Sequence, residues 1–362
     1  MRAAVAQHGE LRVRDVAAPE RRGGHILARP VACGVCGSDL GVLRHGEELA
    51  ALRREVAARA PHGPLRAASV EPGAPTVLGH EFCAEVVDPG PARPDLRAGD
   101  LVVSMPRIHD AAGEPHTLGF SKAFPGGFGE LMLLDPALAL RVPGGLPPRW
   151  AALTEPAAVA HHAVGRSRLV VGEAAVVVGC GPVGLAIVDR LRLWGADPII
   201  AADPVPERRV RARAMGADVV VDPKMASPVA VWVQEAGGAA PVVFEAVGKP
   251  GILDQVLLDA APDTEIVVVG ACMRADTVRP MLGLGREVTL RFALGYTEEE
   301  FADTLDDLVR GRLRPAVLVE EVVSLEALPS VFARMLRTPG AGKVLVADAD
   351  ESSGGWERFP RT

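Results

Sequence analysis

Residues 33–39 read CGVCGSD. Two thiols three positions apart, Cys33 and Cys36, fit three chemistries: a redox dithiol, half of a structural zinc site, or one metal ligand beside a packed neighbour. A redox pair of this spacing heads a helix in a thioredoxin-like setting, and the GSDLG that follows offers no such context. Further along stand His80 and Glu81, in LGHEF, and Glu155, in LTEPA. A thiolate, an imidazole and a carboxylate are each suitable zinc ligands. They lie far apart in the chain, so spacing alone does not assemble them, and His80 reads equally well as a structural histidine. Cys83, Cys180 and Cys272 read as packed or incidental. Five scattered cysteines are too few for a disulfide scaffold in a chain of 362 residues.

A second group has tighter spacing. Gly179, Gly181 and Gly184 form GxGxxG inside VVVGCGPVGL, with Pro182 and Val183 in the gap. The pattern alone is weak. Here it follows the strand-like AAVVVG and opens the helix-like VGLAIVDRLRLWG. The next strand-like run, PIIAAD, ends on Asp203, about 20 residues past the last glycine. In that context the pattern is a dinucleotide fingerprint. Gly179 permits the tight turn, Gly181 lets backbone approach a pyrophosphate, and Gly184 lets helix and strand pack closely. The helix N-terminus faces the phosphates. Asp203 can accept from both ribose hydroxyls, and its charge opposes a 2′-phosphate, which favours NAD over NADP. Arg208 and Arg209 temper that preference, because arginine pairs with phosphate.

These groups need elements to hold them. Residues 1–35, 76–88 and 100–106 alternate like short strands, joined by turn-rich connectors such as PGPARPDLRAGD. Residues 47–60 predict a short charged helix closed by Pro61. From about 150 the pattern changes to strands separated by helices (AAVVVG, PIIAAD, ADVVV, PVVFEAV, TEIVVVG, REVTLRF), which predicts a parallel sheet. The expected division is residues 1–149 with 296–362 as a β-rich domain, and 150–295 as a nucleotide-binding α/β domain. Hydrophobic residues at 48% and charged residues at 23% give a globular balance. A net charge of -7 without a basic block argues against nucleic-acid binding. No run approaches the ~20 apolar residues of a membrane span, and the first residues lack the apolar core of a signal peptide. A cytoplasmic protein is the default expectation.

The chain resembles the zinc-dependent medium-chain alcohol dehydrogenases, in particular the sorbitol, butanediol and threonine dehydrogenase branch. The resemblance rests on CGVCGSDLG (33–41), VLGHEF (77–82), GGFGE (126–130), LTEPAAVAHHAV (153–164), VVVGCGPVGL (176–185), FEAVGKPG (244–251) and VVVG (267–270), in family order over nearly the whole chain. It implies a GroES-like β-rich catalytic domain plus a Rossmann doubly wound parallel sheet. It implies one catalytic zinc, with Cys36 and His80 as ligands and either Glu81 or Glu155 as the third. It implies NAD held at Gly179, Gly181, Pro182, Val183, Gly184, Asp203, Arg208, Val247 and Gly270. Ser38 is placed to take the first proton from substrate. The histidine that usually follows in the relay is replaced by Gly41, and His45 or water is expected to complete the path. Residues 102–130, where relatives carry four cysteines for a structural zinc, contain none.

The implied reaction is hydride transfer between NAD and a secondary alcohol, vicinal diol or sugar-alcohol-like substrate. Sorbitol itself is disfavoured: the FALGYT stretch (292–297) lacks the arginine of the polyol site, and Arg291 is displaced from it. A homodimer or homotetramer is implied. The competing readings are a zinc-independent quinone or enoyl reductase, which should lack the joint Cys36, His80 and Glu155 set, and a non-catalytic protein that keeps the fold.

Overall fold

A computed structural model describes residues 1–21, 23–59, 71, 73–236, 241–338 and 340–347. They form two compact units. The first contains Met1–Glu155 with residues 321–338 and 343–347, and the second contains Pro156–Glu320 with Gly340–Gly342.

The first unit is built on a sheet whose central strands run Leu101–Ser104, Glu81–Asp88, Ile26–Gly34 and Lys343–Ala347. Ile26–Gly34 is antiparallel to the strands it pairs with, and Gly34 lies opposite Glu81 on one side and Leu345 on the other. That register brings three distant chain segments together. The C-terminal end of Ile26–Gly34, which leads to Cys36, lies beside the start of Glu81–Asp88, which follows His80. The start of the final strand, at Lys343, lies against the same end. Beneath the sheet, Ile26, Phe82, Val102, Phe128, Met132 and Phe332 pack into one apolar core. Each such side chain contributes roughly 1.5–3 kcal/mol by leaving water.

The second unit is a six-stranded parallel sheet in the order Val219–Val221, Ile199–Ala202, Ala175–Val178, Val242–Glu245, Glu265–Val268, Thr289–Phe292. Its inner strands are continuous apolar runs because helices cover both faces. The order reverses beside Ala175–Val178, which makes the carboxyl ends there the binding crevice of such a sheet. Among the described residues no helix is long and apolar enough to cross a membrane.

One expectation needs correction and another an addition. The return to the first domain was expected at 296, but residues 296–320 belong to the second unit. The helix Glu298–Val309 is tied there by His162 to Glu300 at 2.8 Å, His161 to Thr304 at 3.2 Å, and a buried Arg190–Asp307 ion pair at 2.7 Å. The helix predicted over 47–60 is present, following a kink at His45 and running to Arg59. What the prediction lacked is a further helical segment before the kink, which starts at Gly37 and takes in GSDLG. Pro61 lies outside the described residues.

Candidate functional site

Cys36, His80 and Glu81 come together, with one ligand atom from each within 4.8 Å of the others. The backbone explains why. Asp39, fully buried in the first helical turn, accepts from the Cys36 backbone N–H at 2.9 Å and fixes the loop that presents the thiol. Its other oxygen lies 3.3 Å from His80 Nδ1, an ion-pair distance whose direction falls short of a hydrogen bond. That contact faces Nδ1 toward Asp39 and leaves Nε2 for a metal, the carboxylate–histidine arrangement of many zinc sites. Ser38 Oγ lies 3.4 Å from Nε2. The Phe120 ring packs against His80 at 4.9 Å between centroids, tilted by 40°.

Glu81 is 1% exposed. One of its oxygens, Oε1, accepts from Lys343 Nζ at 2.6 Å, and Lys343 is also 1% exposed. Lys343 donates as well to the Val35 carbonyl at 3.2 Å. Oε2 of Glu81 is buried and has no hydrogen-bond partner among the described residues. A buried carboxylate oxygen without a donor is costly, and a bound cation removes that cost. With a thiolate and an imidazole beside it, the donor set fits a zinc ion.

The electrostatics agree. Burial opposes charge on the His80 ring, yet Asp39 and the Cys36 sulfur outweigh it and raise the His80 pKa well above its ordinary value. Burial likewise works against the Lys343 ammonium, and Glu81, Cys36 and Glu155 together hold its pKa up. The pocket therefore favours positive charge. Cys33 differs: burial, then Asp39 and Glu81, push its thiol pKa well up. A β-carbon on Gly79 or Gly127 would crowd its sulfur at 2.9 and 2.7 Å, so Cys33 is a packed neighbour in a glycine-walled slot.

Glu155 heads the helix Thr154–Arg166 and stands outside the three-ligand cluster, though its charge reaches Lys343. His45 sits at the helix kink, with Nδ1 3.6 Å from Glu48, and is not part of the cluster either. Lys343 was missed by sequence reasoning. Its signal was a single cation heading the apolar run KVLVA.

The nucleotide fingerprint also assembles. Strand Ala175–Val178 ends at Gly179, whose φ of +97° only glycine adopts without strain. Gly181 caps the helix Pro182–Trp194. A β-carbon on Gly179 would press on Val247, and one on Gly184 would collide with the Gly179 carbonyl oxygen. Gly270 packs equally tightly on Gly248. A β-carbon on Gly181, by contrast, would meet nothing within 4 Å, so its backbone is open to a ligand. These residues stand at the carboxyl ends of three adjacent strands, and the arrangement fits a dinucleotide.

Asp203 is more committed than expected. It is 2% exposed, and its carboxylate already accepts from Cys180 N–H and Val205 N–H, each at 2.9 Å, and from Arg208 at 3.3 Å. A carboxylate has about four acceptor sites, so it braces the glycine loop and retains limited capacity for ribose. Arg208 also donates to the Gly340 carbonyl at 2.7 Å, and Arg209 is held by Asp203 O at 2.7 Å and Asp222 at 3.2 Å. Arg291 pairs with Glu265 at 2.8 Å on its own sheet edge.

Comparison with known proteins places this geometry in a family. Residues 22–144 match the model for the alcohol dehydrogenase GroES-like domain, and residues 182–310 match that for zinc-binding dehydrogenase. The chain is 31% identical over 346 residues to (R,R)-butanediol dehydrogenase of Bacillus subtilis, covering 93% of this chain and 96% of the relative. The crystal structure of 2R,3R-butanediol dehydrogenase from Bacillus subtilis superposes with a TM-score of 0.79 at 29% identity, covering 96% of this chain and 99% of that one. A putative zinc-binding dehydrogenase from Sinorhizobium meliloti bound to NADP superposes at 0.78 with 26% identity, over 96% and 99%. The chain belongs to the zinc-type medium-chain alcohol dehydrogenase family.

Proposed function

We propose that this enzyme transfers a hydride between NAD and a secondary alcohol, vicinal diol or sugar-alcohol-like substrate, with one zinc ion held by Cys36, His80 and the Glu81 carboxylate. The observation that carries the reading is the buried, unpartnered Glu81 Oε2 beside Cys36 and His80. Glu155 is outside the resting set, though its charge reaches the lysine that pairs with Glu81. The butanediol dehydrogenase relative supports a vicinal diol in particular.

When bound, zinc supplies a Lewis acid that acidifies an alcohol, and nicotinamide supplies the hydride acceptor. The chain's own groups do the rest. Asp39 fixes the His80 ring and the Cys36 loop. Ser38 accepts the proton that the alcohol gives up. Gly41 cannot relay it, so the proton passes to His45 or to water. Substituting His45→Gln is expected to shift the pH–rate profile to higher pH with the fold intact, and an unchanged profile and rate would remove His45 from the path.

NAD is preferred because Asp203 presents a negative charge, while Arg208 and Arg209 are already engaged by carbonyls and carboxylates. Asp203→Ala should lower kcat/KM with NAD by about ten- to hundredfold, as loss of hydrogen bonds to a charged group does. It should also raise the ratio of NADP to NAD use. A wild type faster with NADP than with NAD would contradict this assignment. The reaction is tested by following NADH absorbance over a panel of secondary alcohols, vicinal diols and polyols, and their carbonyl products in reverse. Turnover of vicinal diols is expected, and no turnover by zinc-loaded protein would overturn the proposal.

A homodimer or homotetramer is part of the same reading. Met281, Leu284, Phe292 and Leu294 are each about 70% exposed around the outer strand Thr289–Phe292, an apolar edge that a second copy would cover. Light scattering checks it, with a monomer mass as the contrary result. A cytoplasmic location is supported by five cysteines that are all free thiols, and cell fractionation tests it.

A further inference from the structure

Lys343 has no role in the chemistry above, yet it is buried against Glu81. Lys343 bonds the carbonyl of Val35, one residue before Cys36, and the carboxylate of Glu81, one residue after His80. A single ammonium thus clamps both segments that present metal ligands. Its positive charge also lies within reach of the charges of Cys36 and Glu155. Gly34 matters here too. A β-carbon on it would collide with Glu81 Oε2, so the carboxylate is pinned between a glycine and a lysine with little freedom to turn.

We infer that Lys343 sets the charge felt by a metal ion at this site: it cancels the Glu81 carboxylate, so that Cys36, His80 and Glu81 act together as one net negative charge and not two. The inference rests on the metal reading above. Fewer effective ligand charges leave a bound zinc more electrophilic and less tightly held. Lys343 is therefore a positioning residue whose effect reaches substrate only through Glu81. The geometry also explains why the ion pair is retained at a buried position, where an apolar pair of equal volume would often serve stability as well.

The test measures zinc release into excess chelator and the visible spectrum of cobalt-substituted protein, with folding monitored by circular dichroism. Lys343→Met is expected to release zinc about tenfold more slowly than wild type, the lower end of the usual range for groups behind a metal ligand. Its cobalt spectrum should change. Glu81→Gln leaves the lysine uncancelled and is expected to release zinc about tenfold faster. The double variant, which loses a ligand as well as both charges, should release zinc faster than Lys343→Met but more slowly than Glu81→Gln, and Lys343→Arg, which keeps the charge, should match wild type. Folded Lys343→Met with the wild-type rate and spectrum would overturn the inference. If Lys343→Met does not fold, Glu81→Gln with a wild-type release rate overturns it alone. A wild type that binds no zinc, or a Cys36→Ser variant that binds it normally, would instead overturn the metal reading itself.

Discussion

Replacing Cys36 with serine is expected to remove tightly bound zinc and to lower alcohol oxidation by about a thousandfold, the scale of several kcal/mol of transition-state stabilisation supplied by a metal. A neutral serine hydroxyl is a poor substitute for a thiolate. The fold should survive, because the loop is held by the Cys36 backbone N–H on Asp39, a bond that does not involve the sulfur. Metal analysis, NADH formation and thermal unfolding check the three parts together. A Cys36→Ser enzyme that keeps one zinc per chain and wild-type rates would show that the metal is held elsewhere.

The second large effect is expected at the glycine loop, where two substitutions separate packing from binding. An alanine at Gly184 would put its β-carbon on the Gly179 carbonyl oxygen and 2.9 Å from the carbonyl carbon. Backbone cannot give way as a flexible side chain can, so the helix must move off its strand. A stability loss of roughly 1–3 kcal/mol is expected for such overpacking, with NADH binding lost alongside. Gly181→Ala meets no protein atom within 4 Å. It should unfold at nearly the wild-type denaturant concentration and yet bind NADH at least about tenfold more weakly, because the methyl occupies the approach of the pyrophosphate. Fluorescence titration with NADH measures the binding. A Gly181→Ala protein that binds NADH as wild type does would place the dinucleotide away from this loop.

The two sites differed in how far the sequence revealed them, and the difference is one of contact range. Gly179, Gly181, Gly184 and Asp203 belong to one strand–turn–helix–strand run, so their roles follow from local order. What local order did not reveal was the occupation of Asp203, since Arg208 reaches it from the next helix and Cys180 N–H from the loop behind. The metal cluster depends on the register of Ile26–Gly34 against Glu81–Asp88 and against Lys343–Ala347. No periodicity encodes that pairing. Cys36 and His80 were recognised through family resemblance, and Lys343, which no quoted motif contains, was passed over as part of a closing strand.

The boundary near 296 failed for a related reason. The amphipathic pattern of Glu298–Val309 marks a helix with an apolar face, but it does not say which core that face joins. His161, His162 and Arg190 decide that, and they lie more than a hundred residues earlier. The kinked helix Gly37–Arg59 was half visible. Its charged second part reads as helical, whereas the glycines of GSDLG suggest a turn until Asp39 is seen to cap the Cys36 loop.

Metal-dependent NADH formation tests the central claim most directly. Protein stripped by chelator is assayed with NAD and a vicinal diol, then assayed again after one equivalent of zinc is restored. The expected result is negligible NADH from stripped protein, recovery with zinc in wild type, and no recovery in Cys36→Ser. Full activity in stripped protein shown to contain no metal, or equal recovery in Cys36→Ser, would contradict it.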